Sequence, residues 1–239
     1  MLNLGEKMFE EYKDLYKNTL LECEEITKKK LLTDRLTVYS FVSNAWTKEN
    51  NKTEEEFIEF YKKVDYVNEL ALWHSEEKFV GVRKMLQVLE ILKPNTILDF
   101  GGGIGTDSIL LCKLGYNVTY FEINEPTKSI AIERFKKHCV NPKILEKFPT
   151  ERYDAILLYD MIGHFKDVFS LFKSLMPLTN KFIFTVDVCL HDEKKGGQLQ
   201  HQDVKPRKLY KFLEENWYKK IKIFLAFPPQ VWIKNGEKI

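Results

Sequence analysis

Ile97-Leu98-Asp99-Phe100-Gly101-Gly102-Gly103-Ile104-Gly105-Thr106-Asp107 is the stretch on which the reading of the whole chain depends. Its opening apolar run reads as a buried parallel strand. Asp99 lies near the end of that run, glycines follow, and a helical pattern resumes through Ser108-Ile109-Leu110-Leu111-Cys112. Strand, tight turn and helix start come with few side chains between them, so a ligand can lie against bare backbone. Further on, Asn117-Val118-Thr119-Tyr120-Phe121 reads as a second strand ending in Glu122, an acid placed to accept both hydroxyls of a ribose. A plain glycine turn in a βαβ unit and a dinucleotide site are two readings of this pattern. The dinucleotide frame asks for G-x-G-x-x-G, and its third glycine position is here Thr106. A nucleoside ligand without a pyrophosphate fits the residues better.

On these residues the chain resembles the class I S-adenosylmethionine-dependent methyltransferases. Their first motif, an acid followed by alternating glycines, is matched from Asp99 to Gly105, and their second, an acid ending the second strand, by Glu122. The resemblance runs from about Lys93 to the C-terminus. It implies a Rossmann-like sheet of seven mostly parallel strands with helices on both faces and an antiparallel C-terminal hairpin. It also implies S-adenosylmethionine as cofactor, leaving as S-adenosylhomocysteine. Asp99, Gly101, Gly102, Gly103 and Gly105 would form the cofactor turn, with Asp99 near the methionine ammonium. Glu122 would take the ribose, with Ile123 beside it, and Tyr159 and Asp160 would border the cofactor after the fourth strand. The segment after the third strand lacks the family's common Gly-Asp pair, and Glu146 is the candidate adenine partner there. Tyr159-Asp160-Met161-Ile162-Gly163-His164-Phe165 looks like the small-molecule branch, in which His164 orients backbone beside the substrate.

Length and composition agree with one α/β unit carrying a helical addition. The chain has 239 residues, 44% hydrophobic and 30% charged, as in ordinary globular proteins. Its net charge of +2, from 37 basic and 35 acidic residues, makes no electrostatic case for nucleic acid or an anionic membrane. The motifs of amino-group and cytosine methylases, Asn/Asp-Pro-Pro-aromatic and Pro-Cys, are also missing from the sequence. Cys23, Cys112, Cys139 and Cys189 are widely spaced and read as reduced thiols of a cytoplasmic protein. No run is long enough to span a membrane, and the first residues do not read as a signal peptide.

Residues 1–93 read as a helical N-terminal cap and 94–239 as the methyltransferase domain. Phe9, Tyr12, Leu15, Tyr16, Leu20 and Cys23 recur at helical spacing. Thr33 or Asp34 starts another helix, and Thr53 with Glu56 forms a capping-box pattern. Tyr12, Tyr16 and Tyr39 are candidate substrate contacts from this cap, along with Trp46, whereas His74 reads as a surface or capping residue. Beyond it, strands are expected at 96–100, 117–122, 143–145, 154–159, 182–186, 221–225 and 231–234, with a helix at 206–216 before the last two.

An insertion, 187–203, follows the fifth strand and reads as a substrate lid hinged at Gly196-Gly197. His201 and His191 are the candidate general bases and Gln202 a substrate contact, since a histidine near neutral pKa can take a proton from an acceptor. A solvated loop with no chemical role and a metal site are the rival readings of these residues, and their spacing matches no standard zinc motif. The expected activity is methyl transfer to a small-molecule acceptor. A non-catalytic cofactor-binding module and a nicotinamide-dependent dehydrogenase remain the alternatives.

Overall fold

The computed structural model describes residues 4–49, 53–184, 206–221 and 230–237. Six helices precede the sheet: α1 (Leu4–Lys17), α2 (Thr19–Thr27), α3 (Arg35–Glu49), α4 (Glu54–Lys63), α5 (Val67–Trp73) and α6 (Phe79–Leu92). Their starts follow from local chemistry. The Asp34 carboxylate accepts the Thr37 N–H at 2.9 Å and so opens α3. Thr53 and Glu56 exchange side-chain and backbone bonds of 3.1 and 2.9 Å, closing the expected capping box of α4. Between α5 and α6 lies a π-helical turn, His74–Lys78.

The sheet and its helices follow as β1 (Thr96–Phe100), α7 (Thr106–Lys113), β2 (Asn117–Phe121), α8 (Glu125–Lys137), β3 (Lys143–Leu145), β4 (Ala155–Leu158), α9 (Val168–Leu175), β5 (Lys181–Phe184), α10 (Pro206–Glu215), β6 (Tyr218–Ile221) and β7 (Gln230–Lys234). The strand order is β3-β2-β1-β4-β5-β7-β6. The first five strands pair in parallel, while β7 runs antiparallel to both β5 and β6. The sheet is thus the seven-stranded one expected. The sixth strand begins earlier than expected, at Tyr218, which belongs to the buried face: it is 2% exposed and its ring stands 5.2 Å from Phe182. Residues 185–186 and 222–225 of the expected strands lie outside the described residues.

Strand alternation divides the core in two. Ile97, Val118, Tyr120, Leu157 and Ile183 face a layer made by α1, α6, α7 and α8; Leu98, Phe100, Ile156, Phe182 and Phe184 face α9 and α10. Strand order reverses at β1 and β4, which is where a ligand crevice opens in such sheets. The glycine turn leaves β1 at that point.

Candidate active site

The turn after β1 is fastened on three sides. Gly101 and Gly102 donate their N–H groups to the Phe121 carbonyl at 2.8 and 3.1 Å. Tyr120 donates its hydroxyl to the Gly103 carbonyl, and the Gly103 N–H reaches Glu122 Oε2 at 2.9 Å. Gly103 has φ +53°, and a Cβ there would approach only Leu70 Cδ1, at 3.1 Å. The backbone of the turn is therefore presented bare to the space above it. Glu122 Oε1 accepts the Asn124 N–H at 2.7 Å, so both carboxylate oxygens hold backbone donors while the side chain still lines the cleft. Burial raises the Glu122 pKa against these stabilising N–H bonds.

Above the turn is a cleft of about 870 Å³, part of it open to solvent. Gly101, Gly102, Gly103, Glu122, Ile123, Tyr159, Asp160 and His164 all line it, so these sequence-predicted residues converge on one site. The opposite wall comes from α4, α5 and the π turn: Phe57, Ile58, Tyr61, Tyr66, Trp73 and Lys78. Asn124 locks the two walls together. Its amide donates to the Tyr61 and Val64 carbonyls, both at 2.7 Å, while its Oδ1 caps α8 through the Thr127 N–H at 3.0 Å. Tyr61 and Tyr66 stack at 5.8 Å, and the His164 ring stands edge-on to both. Burial lowers the His164 pKa to about 4, leaving a neutral imidazole at neutral pH.

Other expected site residues are not brought to the cleft. Asp99 does not line the cleft; it lies behind Gly102, 2% exposed, and accepts the Ser108 hydroxyl at 2.6 Å. Its pKa rises to about 7, first through burial and then through neighbouring Asp107. Gly105 packs beneath the turn, where a Cβ would meet Phe135 at 2.6 Å. Tyr16 is fully buried and donates its hydroxyl to Asp107 at 2.5 Å, while Tyr12 packs against the core. Neither of them lines the cleft, nor does Tyr39, half-buried on α3, or Trp46, which backs the cleft wall through Phe57 and Phe60. Glu146 pairs with Lys128 at 3.0 Å outside the cleft. His191, His201 and Gln202 lie outside the described residues.

Sequence reading missed Lys78 and Asn124 and took His74 for a surface or capping residue, whereas it is buried in the cleft wall. His74 is buried, and burial and the Lys78 charge hold its pKa well below the usual histidine range. The neutral ring has one donor and one acceptor nitrogen. Nε2 lies 3.4 Å from the Lys78 ammonium and so accepts; Nδ1 then donates to Thr106 Oγ1 at 2.8 Å. Thr106 also accepts from Arg134 Nη1 at 2.6 Å, and Arg134 pairs with Glu22 at 2.9 Å, which His138 approaches at 3.0 Å. His74 and Lys78 bound this π turn, and such turns recur at functional sites. The only sequence signal was a histidine and a lysine four positions apart in a helical stretch.

A family model described as "Methyltransferase domain" matches residues 60–217, from within α4 to the turn before β6. No curated protein matches the sequence. The fold is similar to magnesium protoporphyrin IX methyltransferase (ChlM) from Synechocystis PCC 6803, solved with bound SAM, at TM-score 0.54 and 15% identity, covering 81% of this chain and 97% of that one. TehB from Haemophilus influenzae aligns at TM-score 0.52 and 16% identity over 66% of this chain and 67% of its own. PH0226 from Pyrococcus horikoshii OT3 aligns at TM-score 0.52 and 15% identity over 67% and 93%.

Proposed function

Because this chain belongs to the methyltransferase-domain family, with S-adenosylmethionine as its methyl donor, we propose that it methylates a small, largely apolar acceptor. Residues 1–93 act in this reading as a cap on the catalytic unit formed by 94–239. The observation that carries the proposal is the enclosure of the glycine turn by Phe57, Tyr61, Tyr66 and Trp73 on one side and by Tyr159, Met161 and Phe165 on the other. Apolar walls with few polar groups are the usual form of a small-molecule pocket. A nucleic-acid groove would carry basic residues along an open face. Four widely spaced cysteines without a paired motif suit a reducing compartment such as the cytoplasm.

The cofactor supplies a sulfonium methyl that is already a strong electrophile. What the chain's own residues contribute is placement. Glu122 and the bare backbone of Gly101–Gly103 hold the nucleoside end, and the aromatic walls align the acceptor and exclude water. His164 offers a neutral imidazole on the acceptor side, suited to orienting an acceptor. His201 and His191 remain the proposed proton acceptors, since a base near neutral pKa removes the acceptor's proton most effectively.

Purified protein incubated with methyl-labelled S-adenosylmethionine and a fractionated metabolite extract should place label in a low-molecular-weight product detected by mass spectrometry. Label found only in protein or nucleic acid would overturn the acceptor class. Tight S-adenosylhomocysteine binding with no labelled product from any fraction would instead favour a non-catalytic module.

A further inference from the structure

We propose that Lys78 is the carboxylate-binding residue of the cleft and takes the carboxylate at the amino-acid end of the cofactor. The inference rests on the cofactor assignment and concerns a residue outside both sequence motifs. Lys78 is a lysine on the cleft wall that is only 6% exposed, an arrangement that costs desolvation energy and needs a purpose. Its ammonium has three donors. One reaches Asp107 Oδ2 at 2.6 Å and a second His74 Nε2 at 3.4 Å. Nζ also stands 5.0 Å from the ring centres of both Trp73 and Tyr159, two cleft-lining side chains that flank it and leave a donor for a ligand between them.

Position selects the ligand group. Glu122 fixes the turn at Gly103, where the ribose lies, whereas Lys78 is anchored to Asp107 in the first turn of α7, past the far end of the glycines. A ligand with its ribose on Glu122 and its chain along the turn brings its amino-acid end toward Lys78. Among the described residues Lys78 is the one lysine or arginine lining the cleft, so an anionic group of the ligand is what it complements. The pairings of Tyr16 with Asp107 and of Thr106 with His74 hold the lysine still, so little side-chain entropy is lost on binding.

Calorimetric titration with S-adenosylhomocysteine and with 5′-methylthioadenosine, the same thioether without the amino acid, tests this directly. Wild-type protein should bind S-adenosylhomocysteine at least ten times more tightly. In Lys78→Met the affinity for S-adenosylhomocysteine should fall roughly 10–100-fold, the worth of one charged hydrogen bond, while that for methylthioadenosine stays unchanged. Because Lys78→Met leaves Asp107 without its cation, the pair Lys78→Met/Asp107→Asn serves if the single variant does not fold, with the same result expected. If the variants keep the wild-type ratio of the two affinities, Lys78 is only the structural partner of Asp107 and the proposal fails. If the wild-type protein binds neither ligand, the nucleoside site on Glu122 fails with it.

Discussion

Glu122 carries two duties at once. Its oxygens hold the Gly103 and Asn124 N–H groups, which shapes the turn, and the side chain lines the cleft. Truncation to alanine would remove both functions together, so Glu122→Gln is the sharper probe. It keeps the length and one carbonyl acceptor but loses the charge. We expect S-adenosylhomocysteine to bind roughly 10–100-fold more weakly, since one charge-assisted bond is worth about 1.5–3 kcal/mol. Calorimetry with unchanged affinity would remove Glu122 from the ribose site. The two residues of the motif, Asp99 and Glu122, were legible because a strand end and the turn beside it are local features. Their division of labour was not. Asp99 and Glu122 look alike in sequence, yet one is buried behind Gly102 and the other lines the cleft. His74 and Lys78 were illegible for a related reason: their partners, Thr106 and Asp107, lie about thirty positions away on a different helix.

At the level of elements, the contact between α6 and the end of β4 is unusually close. A Cβ on Gly81 would fall 1.7 Å from the Tyr159 hydroxyl and 3.0 Å from the ring carbon that bears it. Alanine is worth about 1 kcal/mol more than glycine within a helix. Overpacking should nevertheless win: Gly81→Ala is expected to destabilise by about 1–3 kcal/mol and to displace Tyr159 from the cleft wall. Tyr159→Phe removes the clashing atom, so the same glycine substitution made in that background should cost less. Denaturant melts of the four proteins in the cycle measure the coupling, and strict additivity would mean that Tyr159 swings aside freely. Capping signals at Asp34 and Thr53–Glu56 were legible because they act within one turn. The π turn was not, since its residues, His74-Ser75-Glu76-Glu77-Lys78, carry no helix break and only tertiary bonds reveal its purpose.

Across the whole molecule, the cap and the sheet share one core. Leu15 and Tyr16 pack in the same cluster as Ile97, Ile109 and Ile183, so the expected division at residue 93 is not a gap in packing. Buried titratable groups then govern stability as a whole. Asp99 has a folded pKa of about 7 against an ordinary 3.8, so the folded chain keeps a proton that the unfolded chain releases. Stability from this group is present at low pH and falls as pH rises from about 4 to 7. His164 acts in the opposite sense: its folded value near 4 lies below the ordinary 6.5, so stability falls as pH drops through that interval. Asp99→Asn should therefore stabilise the cofactor-free protein more at pH 8 than at pH 5, by guanidinium melts. An equal effect at both values would show that Asp99 is ionised throughout.

The long reach of the Arg134 network bears on how the chain is made. Glu22 and Arg134 are 112 positions apart, and Tyr16 and Asp107 are 91 apart. At typical rates of synthesis, the first helices wait roughly 6–22 s between the appearance of Glu22 and that of its arginine. During that time α2 has an acid on the face it will later bury, and α1 has an unsatisfied tyrosine. Contacts so distant in sequence form late, because the intervening chain must be ordered before they reward its closure. Newly made protein should therefore acquire the α7–α8 half of the site before the cap settles on it, and the window between the two is when Leu15, Tyr16 and Cys23 are exposed to other chains and to chaperones.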